Sequence, residues 1–547
     1  MKNLFTLFAF LLVFQVTSQE TISKTQWQKD LRFLQNTIHK DYASLFVKTT
    51  KATFDQEVEE LYTAIPNLTE HEIIIGFTKI IASFKYGHTG IFFHYNPIKF
   101  HHYPFHIYEF KDGIYIEGTT AEYQKALGAK VLKVNEVPIR EALEKIKPVV
   151  NAENSQYFKA YGLNFIGIPE VLHAQKITKT LQKSVTLTLE KEGNIFTQEF
   201  HVLASGKGIP KKHGFVQQTD HWLSARNQTT TPLYLKHLDK VYYSEHLVDE
   251  KTMYVRHSRI ANDPTESTES FYNRVFDFIE TNNNVEKLVI DLRLNGGGNS
   301  YLNKPIIKGI IKSKIDKVGS LYVILGRRTY SACQNLVNEL DNYTNAIFVG
   351  EPTAENVNFW GDSRTVTLPN SKIPVHLSFA WWQGKPQWEY AEWLAPQVAV
   401  EMTFEEYVNN EDPVLQTALD FDGTNFIRNP MAYITNLFVS GDVQKLTTEV
   451  PKIIQDPKYA FVDFETEFNK IGKRLIEGSP EANQMAVQMY AFLTQLFPKS
   501  AITWKNFGDA YLKIGNKEKA KELYRKTMLL DTNGKLKEIV EDQLQKI

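Results

Sequence analysis

KLVIDLRLNGGGNS, residues 287–300, is the segment from which the architecture of this chain can be inferred. It begins with a short apolar run rich in β-branched residues, which is typical of a buried strand. The run breaks at once into Gly296, Gly297 and Gly298, which predict a sharp turn. No side chain covers the amide N–H groups of such a turn, so they can approach a ligand or stabilise developing negative charge.

A serine follows the next strand along the chain. GSLYVILG, residues 319–326, predicts a second buried strand, and the polar loop RRTY leads from it to Ser331. Apolar residues then recur with helical spacing, so Ser331 is expected at the first turn of a helix, facing the positive end of its dipole. A serine in this position is typical of the nucleophile in acyl-transfer chemistry.

Strands and helices alternate around these two segments. TMYVRHSRI, residues 252–260, predicts a further strand. Residues 268–281 predict a helix, because Phe271, Val275 and Phe278 share one face. This alternation predicts an α/β core with a largely parallel central sheet.

Three segments, IDLRLNGGGN, RTYSA and FVGEPTAEN, resemble in their order and spacing the catalytic core of the tail-specific (C-terminal processing) serine proteases. The resemblance is greatest to the tricorn-like branch, in its exported bacterial form, and extends from about residue 27 to residue 419. It implies a serine endopeptidase that hydrolyses peptides or unfolded C-terminal segments through an acyl-enzyme, without a cofactor.

The resemblance also implies a base for Ser331. The tricorn-like proteases carry a catalytic histidine in a Gly-His-Thr turn, which His88 matches, and histidine can accept a hydroxyl proton at neutral pH. The segment GEPTAENVNFWGD, residues 350–362, contains no lysine, which argues against the serine–lysine dyad of the other branch. Glu389 or Glu392 is expected to assist His88.

For the oxyanion, the expected donors are the backbone N–H of Gly297 or Gly298 and that of Ala332. Three departures from the family pattern keep a second function open. Gly87 stands where a helping serine is expected, Ala332 where an acidic residue can follow the nucleophile, and Gln397 where an aspartate is usual. The alternative is a catalytically inactive relative that acts as a peptide-binding or scaffold protein.

Composition argues against several other classes of function. The chain has 547 residues and a net charge of -1, which indicates more than one domain and no electrostatic footprint for nucleic acid. The single cysteine, Cys333, is interpreted as a small buried hydrophobe, not as the nucleophile. His101, His102 and His106 lack the paired spacing of a zinc site and are interpreted as strand residues, so no metal is predicted.

Five regions are predicted along the chain. The charged start and 11-residue apolar run of residues 1–18 indicate a cleaved signal peptide, hence a periplasmic or secreted protein with no membrane span after cleavage. A helical cap carrying His88 follows, then a module that resembles a PDZ domain and either binds an extended peptide or serves as scaffold. The last two regions are the protease core and a helical appendage. The cap spans residues 19–99, the PDZ-like module 100–205, the protease core 206–425 and the appendage 426–547.

The appendage has the period of a tetratricopeptide repeat. Ala486 and Ala520 are 34 residues apart, and so are Tyr490 and Tyr524. Such repeats could dock a protein partner, although so few of them could equally form a packing appendage.

Overall fold

The computed structural model describes residues 22–424, 426–532 and 534–547. The predicted signal peptide, residues 1–18, lies outside the described residues. Within the described ranges, no helix combines the length and the apolar character that crossing a bilayer requires.

The N-terminal region is helical, as predicted. Ser23 and Thr69 each begin a helix with a capping box, in which the hydroxyl oxygen and a Gln or Glu side chain satisfy free backbone N–H groups. The helices are α1 (Lys24–Asp41), α2 (Lys51–Ala64) and α3 (Glu70–Ala82). Their buried faces pack together and place the turn that carries His88 directly after α3.

An antiparallel sheet follows, in the order β1-β2-β3-β5-β6, with β4 on β3 and β9 on β2. Residues 128–146 form the predicted strand, turn, strand and helix. Of the three histidines predicted to lie in strands, only His106 does so. His101 and His102 lie in a segment, residues 101–103, that has no regular structure. The elements are β1 (Phe105–Phe110), β2 (Gly113–Thr120), β3 (Lys130–Val134), β4 (Val137–Pro138), α4 (Ile139–Ile146), α5 (Ser155–Tyr161), α6 (Pro169–Ala174), β5 (Ser184–Lys191), β6 (Asn194–His201), β7 (Lys211–Lys212), β8 (Phe215–Val216) and β9 (Trp222–Ser224).

The central sheet has the order β10-β11-β12-β13-β14-β17. All neighbouring strands in it are parallel except the β10–β11 pair, so the predicted α/β core with a largely parallel sheet is confirmed. Its elements are β10 (Tyr242–Leu247), β11 (Thr252–His257), α7 (Thr268–Thr281), β12 (Lys287–Asp291), α8 (Asn303–Lys312), β13 (Leu321–Leu325), α9 (Ala332–Tyr343), β14 (Ile347–Gly350), β17 (Val398–Ala399), α10 (Phe404–Val408) and α11 (Pro413–Asp420).

Helices cover both faces of this sheet. Alternate strand residues such as Ile290 and Val323 pack against α7, α8 and α9, while Val289 and Ile324 face α11. Burial on both faces explains why the strands are continuous apolar runs. The hairpin β15 (Asn358–Thr367) and β16 (Pro374–Gln383) leaves the sheet and reaches back to the N-terminal helices.

The C-terminal region is helical as well. Tyr490 and Tyr524 are fully buried, and each packs against a glycine of the preceding helix, Gly472 and Gly508 respectively. The tetratricopeptide assignment stays a prediction, as does the PDZ-like assignment. The helices are α12 (Pro430–Ser440), α13 (Val443–Thr448), α14 (Val450–Gln455), α15 (Phe464–Ile476), α16 (Pro480–Leu496), α17 (Ala501–Lys513), α18 (Lys517–Leu530) and α19 (Lys537–Lys546).

Candidate active site

The candidate site lies where three neighbouring parallel strands end. β12, β13 and β14 are adjacent in the central sheet, so their carboxyl ends meet at one edge, the usual position of ligand sites in open α/β sheets. The glycine turn follows β12, Ser331 follows β13, and Glu355 follows β14. The sheet therefore brings these three segments together although they are far apart in sequence.

Ser331 has a strained backbone. Its φ of 59° and ψ of -129° are rarely adopted by residues other than glycine, and such strain tends to be kept at functional positions. The residue immediately precedes α9, as predicted, and its backbone N–H donates to Oε2 of Glu355. Ser331 is half-buried.

The glycine turn lies against the serine. A Cβ atom at Gly297 would lie 2.6 Å from Cβ of Ser331 and 2.8 Å from the backbone N of Ala332, so no larger residue fits there. The N–H of Gly297 donates to Oδ1 of Asn295 at 2.9 Å, so this expected oxyanion donor is already engaged. Within the described ranges, the N–H groups of Gly298 and Ala332 have no hydrogen-bond acceptor.

His88 is held by aromatic stacking and by its neighbours in the chain. Its ring stacks on Tyr330, with ring centroids 4.8 Å apart, and on Phe359, with centroids 6.3 Å apart. The hydroxyl of Thr89 donates to Oγ of Ser378 at 2.9 Å. Backbone hydrogen bonds also join Gly90 to strand β16.

One carboxylate connects the serine and the histidine. Glu355 is fully buried, and its Oε1 lies 3.4 Å from Nε2 of His88 while its Oε2 accepts from the N–H of Ser331. In the described part of the chain, no hydrogen bond joins Oγ of Ser331 to His88. The two side chains must therefore reorient before a proton passes between them.

Burial controls the protonation of His88. Removal from solvent lowers the pKa of His88 to about 4, and the nearby negative charge of Asp362 offsets this only partly. The imidazole is therefore neutral at pH 7, which is the form that can accept a proton from a serine hydroxyl.

A second carboxyl group, which the sequence did not indicate, lies behind Glu355. Glu153 is buried, and it accepts hydrogen bonds from the backbone N–H of Gly87 at 2.9 Å and of Asn356 at 3.2 Å. Burial and the adjacent Glu153 raise the pKa of Glu355 well above its ordinary value. Burial raises the pKa of Glu153 too, although the positive charge of Lys48 opposes this. The negative charge of Glu153 thus favours the protonated form of Glu355.

The structure does not bring Glu389 or Glu392, one of which was expected to assist His88, against the imidazole. Both side chains are exposed and line a cleft of about 890 Å³, and neither contacts the imidazole. Their backbone carbonyls instead accept hydrogen bonds from the side chains of Asn358 and Asn154. Glu355 lies in that position instead, and it is the second of the two glutamates in the segment FVGEPTAEN, five residues after the end of β14.

Two of the departures from the family pattern now have physical explanations. A Cβ atom at Gly87 would lie 2.4 Å from the hydroxyl oxygen of Tyr330 and 2.6 Å from the ring of Tyr157, so these aromatic side chains fill the space of a helping serine. The side-chain oxygen of Gln397 accepts from the backbone N–H of Phe348 at 2.6 Å and so secures β14.

Cys333 is fully buried, and burial raises its thiol pKa, which confirms it as a core residue.

Comparisons with known proteins identify the fold. No protein-family model matches the chain, and no curated protein matches it. Mature CPAF is 11% identical with a TM-score of 0.51, over 74% of this chain and 99% of that chain. CPAF complexed with lactacystin is 11% identical with a TM-score of 0.50, over 70% and 95%.

The photosystem II D1 C-terminal processing protease is 12% identical with a TM-score of 0.34, over 74% of this chain and 98% of that chain. At such low identity, the CPAF structures establish a shared fold. The chain thus has the fold of the tail-specific proteases, and the resemblance noted in the sequence is confirmed at that level.

Proposed function

We propose that the protein is a serine endopeptidase that cleaves peptides or unfolded C-terminal segments of proteins. One observation carries the proposal. Ser331, on a strained turn at the start of α9, shares the buried carboxyl group of Glu355 with His88. A nucleophile, a base and a group that orients the base are the parts that serine peptidase chemistry requires.

In the proposed reaction, Oγ of Ser331 attacks the peptide carbonyl carbon. Since Nε2 of His88 faces Glu355, Nδ1 is the nitrogen left to take the hydroxyl proton. The imidazolium then gives this proton to the leaving amine, and water hydrolyses the acyl-enzyme with His88 again acting as base. The N–H groups of Gly298 and Ala332 are the donors for the oxyanion.

Glu355 and Glu153 can compensate the positive charge that forms on His88. Burial and Glu153 favour a protonated Glu355 before the reaction, and when the imidazole accepts a proton, its positive charge favours loss of that proton to Glu153, which leaves Glu355 negative beside the imidazolium. Glu153 would thereby act as a positioning residue, because it affects the reaction only through Glu355.

Labelling with a fluorophosphonate probe tests the proposal. The probe should modify Ser331, as shown by peptide mapping, and Ser331→Ala should abolish labelling. Ser363→Ala is a matched control, because Ser363 is an exposed serine on β15. Lactacystin, which is bound in one CPAF structure, can serve as a second probe. Labelling at another residue would overturn the assignment of the nucleophile.

The alternative, an inactive peptide-binding protein, is favoured by the missing hydrogen bond between Ser331 and His88. It predicts no labelling by the probe, with peptide binding that Ser331→Ala leaves unchanged. Export and a partner of the C-terminal helices remain part of the proposal. N-terminal sequencing of the native protein should find its first residue at or near Gln19, and recovery of Met1 would contradict export.

A further inference from the structure

Two helices from different regions bring together a group of metal-binding side chains. His71 and Glu72 lie in the first turn of α3, and His173 lies near the end of α6. One ligand atom from each of the three residues lies within 4.8 Å of the other two, and all three side chains are half-buried. No other such group of three occurs in the described ranges.

The hydrogen bonds around Thr69 determine which nitrogen of His71 is free. Oγ1 of Thr69 donates to Oε2 of Glu72 at 2.6 Å, because a carboxylate can only accept. The same oxygen lies 3.1 Å from Nδ1 of His71 and therefore accepts the N–H of that nitrogen. Nε2 of His71 is left as an acceptor, and it accepts the N–H of Nδ1 of His173, 2.8 Å away. A metal ion between these two nitrogens would take the place of that proton.

Glu72 is held in place by the same cap. Its Oε2 also accepts from the backbone N–H of Thr69 at 2.8 Å, whereas Oε1 makes no hydrogen bond in the described part of the chain. A ligand atom left free by a fixed side chain is the arrangement that metal sites obtain from their surrounding hydrogen bonds. The carboxylate of Glu170, on α6, adds negative charge near His71.

We propose that His71, Glu72 and His173 bind a divalent transition metal ion of the zinc class. Two imidazoles and one carboxylate are a donor set that zinc proteins use, with a fourth position for water. Tetrahedral zinc at about 2.0–2.1 Å from each ligand needs ligand atoms about 3.3 Å apart. The two imidazole nitrogens must therefore separate by about 0.5 Å and the carboxylate must approach, which half-buried side chains can do by small rotations.

Such an ion would join α3 to α6. The segment that carries His88 follows α3, so the ion would fasten the helical cap to the neighbouring module without taking part in the reaction at Ser331. The sequence could not indicate this site, because the two histidines are 102 residues apart and no local spacing pairs them. The proposal is independent of the peptidase proposal.

Titration of the full chain, stripped of metal with a chelator, tests the site. Co²⁺ should bind at one equivalent with the visible absorption of a tetrahedral complex, and Zn²⁺ should displace it. His71→Ala and His173→Ala should each weaken Co²⁺ binding at least about 10-fold. Zn²⁺ should raise the thermal unfolding midpoint of the wild type and leave that of both variants unchanged.

Two further variants keep the result interpretable. Glu72→Gln retains a side-chain acceptor for the Thr69 cap but loses the charged ligand, so it should stay folded and bind Co²⁺ more weakly. His39→Ala is the matched control, because His39 pairs with the carboxylate of Asp55 at 2.7 Å and is not one of the three proposed ligands, so this variant should bind as the wild type does. Equal binding by wild type, His71→Ala and His173→Ala, or no binding by the wild type, would overturn the proposal.

Discussion

The two halves of the candidate active site are held in different ways. In the first half, the glycine turn, Ser331 and Glu355 each follow a strand whose place is set by backbone hydrogen bonds to its neighbours. In the second half, His88 and Glu153 lie in segments without regular strands. Side-chain hydrogen bonds and ring stacking hold these two residues.

This difference has a consequence for function. A strand ladder distributes its strain over many bonds, so the position of Ser331 should tolerate the loss of any single one. The position of His88 depends on ring stacking and on the hydrogen bonds of its neighbours Thr89 and Gly90, not on a strand of the central sheet, so small changes there should alter the approach of the base to the serine. Chemistry is sensitive to such displacements even when the fold is intact.

Removal of the proposed nucleophile or the proposed base should have the largest effect. Ser331→Ala and His88→Ala should each reduce kcat by on the order of 10³-fold or more, and the double variant should lose little more than either single one, because the two residues act as a unit. Steady-state kinetics on an unfolded peptide substrate measures this. Near-normal turnover by His88→Ala would show that the second half contributes no base.

Glu355 joins the two halves, so its loss should have the next largest effect. Glu355→Gln keeps the volume but removes the carboxylate that can balance the imidazolium, and kcat should fall by on the order of 10²-fold. Glu392→Gln is the matched control, because Glu392 is exposed and does not touch His88, and it should change kcat little. If Glu392→Gln lowered kcat more than Glu355→Gln did, Glu392 and not Glu355 would be the glutamate that assists His88.

The two halves also differ in how far the sequence predicted them. The apolar runs at 287–291 and 321–325 and the glycines that follow predicted the sheet and one edge of the site, because buried parallel strands have a plain local signature. Ser331 could be found for the same reason. His88 was identified only through a family resemblance, since nothing in its local pattern distinguishes it from a structural histidine.

The assisting glutamate could not be chosen by pattern. Glu389 and Glu392 are near the site in the fold, but their side chains are exposed, whereas Glu355 is buried five residues after the end of β14. Glu153 was missed entirely, because its role depends on a contact between segments that are about 200 residues apart. Local sequence carries no information about such a contact.

A pair of threonines can measure how firmly each half is held. Thr89 and Thr329 are both fully buried, and each hydroxyl both donates and accepts a hydrogen bond. Thr89→Val and Thr329→Val should cost similar stability, about 1–3 kcal/mol, measured by urea unfolding. Only Thr89→Val should also lower kcat about 10-fold, because it loosens the segment that carries His88. Equal effects on kcat would remove the distinction between the two halves.

The smallest expected effect is the response of activity to mild acid, and it tests whether burial controls His88. Neutral imidazole is the active form, and burial lowers its pKa to about 4, so activity should be lost only as the pH falls through about 4. From pH 7 to pH 5, kcat/KM should therefore fall less than about twofold, whereas a base at the ordinary pKa of about 6.5 would lose about 25-fold. Circular dichroism must accompany the profile, because an unfolded histidine binds protons below about pH 6.5 and the folded one does not, so acid also weakens the fold. An acid limb near pH 6.5 in a protein that is still folded would mean that His88 is solvated, and that the second half of the site opens in solution.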